Sequence, residues 1–494
     1  MTALIFALLI PLSFALGSGF VAQKWLRPFN LVGSSLLLVT ATVLLFEVVA
    51  NQSVSVAFGG WPSPVAIVFM ADGFSALMVL SIALVFFCVL LFAKTGLLKG
   101  RGAQYSERLS FVLMQGVIAS AVAVSLTQDL FNLYVWFELM LIGVLGLFVL
   151  AQRMQNKEAA IKYFSLNMLG TLLMLSAIGL IYGTTGHLNY EVLKQFALDE
   201  NLSPQLEIYT GLLVLALLMK IGAFPLFLWL PATYHALPLP LLALIGGLLT
   251  KVTAFVLLRL SGFSLELDSM SHLLGWIAVF TMLSGVIGAA YHWDLRRILA
   301  FHIISQVGFL LLGIALLSHQ AAVGTMLFLI HNVLVKTNLF LIVGVIWWLT
   351  KHYDLRQIGG LYPTHSMLAI LFLINSMALV GVPPTSGFWG KFLLLKETFH
   401  QEFYFWAIAA LITGLLTLYS MSKIWLEAFW KPAVSDSVNL NKAIPMHLTL
   451  PIIGLTVIVL LIGFYPEPLI QFLQGTESGF YRDSITGFEG GAHD

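Results

Sequence analysis

The chain has 494 residues, of which 59% are hydrophobic and only 10% charged, against about 25% charged in ordinary soluble domains. Its formal net charge of +1 offers no basic face for nucleic acid. Its single cysteine, Cys88, excludes an internal disulfide, a thiolate zinc site and an iron–sulfur cluster. At about 20 apolar residues per bilayer crossing, the length predicts an all-α membrane protein of about fourteen transmembrane helices, with no room for a large soluble domain.

The first apolar run, MTALIFALLIPLSFALGSGF, lacks a basic leader, and its cations, Lys24 and Arg27, follow it. That order predicts a first spanning helix with its N-terminus outside, not a cleaved signal. Candidate spans lie near 2–22, 29–50, 68–93, 109–127, 130–151, 161–183, 208–229, 236–259, 272–291, 298–317, 322–349, 367–394, 403–423 and 447–472. Positive loop charge alternates along this order. Odd-numbered connections carry Lys24 and Arg27; Lys99, Arg101 and Arg108; Arg153 and Lys157; Arg296 and Arg297; Lys351 and Arg356; Lys431 and Lys442. The seventh connection, 231–236, carries none, and the even-numbered ones are neutral or acidic. Cytoplasmic loops collect Lys and Arg, so both termini are expected outside.

With the loop charges set aside, few ionisable residues remain at depth. Each is costly in hydrocarbon, about 3 kcal/mol on insertion scales, and is a functional candidate by default. Glu138 sits in LYVWFELMLIG, Lys220 in LLVLALLMKIGAFP, Lys251 in LIGGLLTKV, His331 and Lys336 in LIHNVLVKTNLF, and Lys391 in GVPPTSGFWGKF. His302 and His319 lie closer to loop edges. The bland alternatives are a polar helix contact for Glu138 and a surface-seeking Lys251. Aromatics such as Trp229, Trp276, Trp347, Trp348 and Trp430 read as interfacial anchors.

Two spans are interrupted. Gly222 and Pro225 break the seventh beside Lys220; Gly381, Pro383, Pro384 and Gly387 break the twelfth beside Lys391. Five spans separate the breaks, and an odd offset makes equivalent segments cross in opposite directions, the mark of inverted repeats. The expected organisation is spans 1–3 over residues 1–108, a first five-helix repeat (spans 4–8) over 109–260, and a second (spans 9–13) over 272–425. Span 14 would occupy 447–472 and a short outside tail 473–494. The repeat rests on the placement of breaks and lysines, without residue-level identity between the halves. These features define a proton-translocating membrane protein with two pseudo-symmetric halves; no phosphate loop, catalytic triad or metal-ligand spacing accompanies them.

Several long segments resemble the antiporter-like subunits of respiratory complex I and of Mrp-type cation/proton antiporters. They are DGFSALM at Asp72, WFELM at Glu138, Lys220 through WLPATYHALPLP to LLTKV, DLRRILAFHIISQVG from Asp294, HNVLVKTNLFL and GVPPTSGFWGKF. Length, the early end after the last span and the lysine at 391 are most similar to the Mrp D type; TYHALPLP departs from the complex I version of that loop. The resemblance implies fourteen spans with broken helices seven and twelve. It implies a path in which Glu138 and Lys220 form the first half-channel, Lys251 passes protons to His331 and Lys336, and Lys391 serves the other side. It also implies membership of a hetero-oligomer with other Mrp-type subunits in a bacterial inner membrane, surrounded by lipid and exchanging Na+ for protons, with no cofactor in this chain. A metal site stays unassigned. A proton-pumping subunit of a redox-driven complex and a purely structural scaffold are the alternatives.

Overall fold

The computed structural model describes residues 2–60, 66–93, 107–150, 154–196, 203–261, 267–433 and 442–476. Several loop charges named above, among them Lys99, Arg101 and Arg153, and the tail from 477, lie outside the described residues. The helices are α1 (Thr2–Ser18), α2 (Leu26–Asn51), α3 (Gly73–Phe92), α4 (Glu107–Leu126), α5 (Leu130–Leu150), α6 (Met154–Thr185) and α7 (Tyr190–Phe196). They continue with α8 (Ser203–Ile221), α9 (Trp229–Tyr234), α10 (Leu239–Ser261), α11 (Leu267–Tyr291), α12 (Leu295–Ala315), α13 (His319–Thr350) and α14 (Leu361–Thr364). The last are α15 (Ser366–Val380), α16 (Ser386–His400), α17 (Tyr404–Trp425), α18 (Met446–Phe464) and α19 (Glu467–Thr476).

Among the described residues, twelve helical segments are long and apolar enough to cross a bilayer. Two shorter apolar helices, α1 and α15, occupy the regions of the expected first and twelfth spans, so the count of fourteen requires both to cross. Two boundaries differ from expectation. Residues 67–71 are not the start of a helix: Ile67–Ala71 (β2) pairs antiparallel with Val54–Phe58 (β1), Val54 opposite Ala71. β-branched and aromatic residues in alternation favour that hairpin, and Asp72 then caps α3 by accepting from the Ser75 amide at 2.8 Å. The last apolar run also ends at Phe464, before Tyr465-Pro466, and the strongly amphipathic α19 follows it.

A helix apolar all round belongs in a core, and α10 and α13 obey that rule: both are buried along their whole apolar stretch. α13 packs against α3, α10, α12, α15, α16 and α18. Lys251, Lys336 and His331 ride on these two central helices, so the sequence puts its costliest residues on its most enclosed elements.

The two halves share contacts residue by residue. Asp129 and Asp294 open α5 and α12 and accept from backbone amides of Asn132 and of Arg297. Asp129 bridges to Asn189 as Asp294 does to Asp354. The Thr185 and Thr350 hydroxyls accept from the amides of His187 and His352. Asn167 donates to the Tyr163 carbonyl, and Asn332 to that of Phe328. Gly143 lets α5 approach Leu113 and Val117, and Gly308 lets α12 approach Ala278 and Met282. Every pair is offset by 165 residues (129 to 294, 189 to 354, 143 to 308). Residue-level identity therefore exists where sequence reading found none, in T-G-H-L-N against T-K-H-Y-D. It is sparse because only capping and close-packing positions constrain residue type. The breaks correspond too: Gly222 and Gly381 have φ of 79° and 91°, and each precedes by three residues a proline in a cis peptide bond, Pro225 and Pro384.

Candidate functional site

Lys220 lies one residue before the end of α8. Its Nζ donates to Thr171 Oγ1 of α6 at 2.8 Å and sits 5.4 Å from the Phe137 ring centroid. Glu138, next to Phe137 on α5, acts on Lys220 electrostatically, yet no ion pair within 4 Å joins them among the described residues. Its Oε1 is buried without a protein partner. A cavity of about 20 Å³, roughly one water, is lined by Phe137, Tyr163, Asn167, Lys220, Leu249 and Thr253, among others. It joins the Lys220 site to α10, the helix of Lys251.

Lys251 does not reach a surface. It is fully buried, and its Nζ donates to the Gly246 carbonyl of its own helix at 2.8 Å. Lys336, on α13, is also fully buried and has no hydrogen-bond partner among the described residues; Lys251 and Lys391 both act on it electrostatically. His331 Nδ1 meets Ser386 Oγ at 2.7 Å, the first residue of α16, while its Nε2 is unpartnered. Gly387 allows that approach, since a Cβ there would lie 2.8 Å from the imidazole.

Lys391 reaches back across the break. Its Nζ donates to the carbonyls of Leu379 and Val380, 2.9 Å each, and lies 4.6 Å from the Phe309 centroid. Those carbonyls end α15 and have no helical donor, and a cation there also opposes the helix dipole. In the first half the Met219 carbonyl, three residues before Gly222, is served by the Trp229 indole at 3.1 Å. Trp229 is accordingly buried and is no interfacial anchor, a correction to its expected role.

The structure thus brings together Lys251, Lys336, His331 and Lys391 within electrostatic reach of their neighbours, and sets Glu138 with Lys220 as a separate pair on the first half. Three buried polar groups escaped sequence reading. Arg259, near the end of α10, is paired with Asp72 at 2.5 Å; Asp72 stood out in DGFSALM, but Arg259 was passed over because it sits where a span end was drawn. Glu397 is buried beside Gln401, which donates to it at 2.8 Å. His302, expected near a loop edge, is fully buried, with Nε2 3.0 Å from Ser420 Oγ of α17. The hydroxyl stripe Thr413, Thr417 and Ser420 on α17 was the legible signal for it. Among the described residues no three His, Cys, Asp or Glu side chains converge as a metal site.

This is a multi-pass membrane protein with protonatable side chains at depth, three of them on its most buried helices. The family model for the NADH:quinone oxidoreductase/Mrp antiporter transmembrane region matches residues 127–417. The chain is 35% identical to the D-type subunit of the Na+/H+ antiporter of Alkalihalophilus pseudofirmus over 452 residues, covering 91% of this chain and 90% of that one. It is 33% identical to the corresponding D-type antiporter subunit of Bacillus subtilis, covering 86% of each. Its fold superposes on a chain of the Mrp complex from Dietzia with a TM-score of 0.87, at 27% identity over 98% of both chains. It superposes on a chain of respiratory complex I from Thermus thermophilus with a TM-score of 0.85, covering 97% and 98%, where 24% identity speaks for the fold alone. The chain belongs to the NADH:quinone oxidoreductase/Mrp antiporter family of membrane subunits.

Proposed function

We propose that this chain is the proton-conducting, D-type subunit of a multisubunit Na+/H+ antiporter in a bacterial inner membrane, assembled with other Mrp-type subunits and with both termini outside. It is a secondary transporter subunit without a catalytic reaction. The observation that carries the reading is Lys336: a fully buried ammonium-forming group on the most enclosed helix, with no protein partner among the described residues. A purely structural lysine would be bonded, because an unsatisfied buried polar group costs about 1–3 kcal/mol.

In this reading a proton reaches Glu138, whose unpartnered oxygen accepts it, and its charge state biases Lys220. The small cavity beside Lys220 reaches Leu249 and Thr253, which flank Lys251 on α10. Like charges on Lys251, Lys336 and Lys391 disfavour simultaneous protonation, so a proton arriving at one displaces one from the next. His331, anchored by Ser386, stands between Lys336 and Lys391. The recurrent contacts at an offset of 165 residues support two inverted repeats, near 109–260 and 272–425, flanked by spans 1–3 and a final span beginning near 447.

The test is Na+-dependent proton movement in inverted vesicles carrying the whole complex, comparing wild type with Lys220→Ala and Lys336→Ala, with assembly followed by native gel. Antiport that collapses in an assembled complex supports the reading. Full antiport in both variants sinks it and returns the buried lysines to a scaffold role.

A further inference from the structure

The buried row has a side branch. His302, on α12, faces neither Ser386 nor the α15–α16 break; it meets α17, with Nε2 3.0 Å from Ser420 Oγ. Lys336, Lys391 and Lys423 all act on it electrostatically. Its other ring nitrogen, Nδ1, has no protein partner, and neither do the side chains of its neighbours on α12, Ser305 Oγ and both amide atoms of Gln306. The equally bare Lys336 Nζ acts on His302 from α13, and all of these are buried polar atoms that protein atoms leave unsatisfied. Such groups are what internal water binds, in twos to fours; apolar packing or a simple structural histidine gives no reason for them.

On the far side, Ser420 Oγ lies 3.4 Å from the Ala289 carbonyl. Lys423, one turn further along α17, is half-buried, and its Nζ donates at 2.7 Å to the carbonyls of Ala290 and His292. His292 lines a surface basin of about 600 Å³ together with Trp293, Arg297, Asp354 and Arg356. Burial, then Arg297, hold the His292 imidazole below its ordinary range, so it stands neutral at the mouth. Lys423 therefore stands between the His302–Ser420 pair and the face that carries Arg296, Arg297 and Arg356.

We propose that His302 and Ser420 form a second proton branch, linking Lys336 to the arginine-lined basin at the α11–α12 turn. The inference rests on the proton-conducting reading given above. The step balances without a co-reactant: His302 takes a proton at Nδ1 through internal water from Lys336 and releases the one on Nε2 to Ser420 Oγ. The hydroxyl passes its own proton to water on the basin side, and rotation or tautomer exchange resets the ring. Ser420 carries the hydroxyl that meets both the ring and the Ala289 carbonyl, so its loss interrupts the branch without touching any lysine.

The experiment compares His302→Gln, Ser420→Ala and Lys336→Ala in the whole complex, reading Na+-dependent proton movement in inverted vesicles with assembly by native gel. General acid–base groups contribute at least about a hundredfold, so a dedicated branch predicts a drop of about tenfold or more in both His302→Gln and Ser420→Ala. Full antiport in these two with collapse in Lys336→Ala overturns the branch and leaves the proposed function standing; full antiport in all three overturns both. Should His302→Gln fail to assemble, access decides. In a Cys88→Ala background, Ser420→Cys is exposed to a small membrane-impermeant thiol reagent from each side. Labelling from the arginine-rich face alone supports the branch, and labelling from neither face or only from the opposite one refutes it.

Discussion

Two lysines of the row predict opposite responses to one substitution. Lys336→Met keeps length and volume and removes a nitrogen that is fully buried and bonded to nothing among the described residues. An unpartnered buried polar group costs about 1–3 kcal/mol even when neutral, and more when charged, so the folded complex should gain about that much. Lys391→Met deletes two 2.9 Å bonds that satisfy the terminal carbonyls of α15. Two buried acceptors left bare cost about 2–6 kcal/mol together, and the favourable cation at a helix C-terminus is lost with them, about 0.3–1 kcal/mol. The assay is thermal inactivation of the detergent-solubilised complex, read by size-exclusion recovery after heating, alongside antiport in vesicles. Lys336→Met should abolish antiport with a midpoint equal to or above wild type, and Lys391→Met should abolish it with a midpoint several degrees below. A Lys336→Met complex that melts well below wild type would refute the reasoning, because it would mean that this nitrogen is held by a partner the fold supplies.

Three further outcomes follow from the geometry. The Arg259–Asp72 pair is largely buried, and breaking such a pair leaves an uncompensated charge at about 3–5 kcal/mol; Arg259→Met alone should therefore lower complex yield more than Arg259→Met combined with Asp72→Asn, measured by membrane immunoblot. Gly222→Ala and Gly381→Ala place a side chain at positive φ, about 1–2 kcal/mol each. The second is the worse, because its Cβ would lie 2.9 Å from Lys391 Cδ while the first meets only ordinary contacts; equal thermal midpoints would contradict this. His235, bonded to the Pro231 carbonyl at 3.1 Å, is held below its ordinary 6.5 by burial, with Arg297 and Arg296 adding to the effect. The folded state then prefers the neutral ring, so its contribution to stability is fully present above about pH 6.5 and is lost as pH falls from there through the lower folded-state pKa. His235→Gln should flatten the acid side of a midpoint-versus-pH curve.

Much of this molecule was readable without coordinates. Hydrocarbon tolerates neither bare backbone nor stray charge, so apolar runs, alternating loop charge and two Gly/Pro breaks located the helices, and the six ionisable residues within spans stood out against an apolar background. Tertiary structure alone decided what each of those residues touches. Whether Lys251 seeks the surface depends on α10 being enclosed on every side, which its own sequence shares with any apolar helix. The role of Trp229 turns on an orphan carbonyl ten residues earlier, and the Asp72–Arg259 pair joins positions 187 residues apart. His302 looked peripheral because distance from a loop was counted along the chain, while burial is set by α11, α13 and α17 around it. Composition and period declare what must leave water; which buried group meets a hydroxyl, a carbonyl or nothing is a matter of packing between helices remote in sequence.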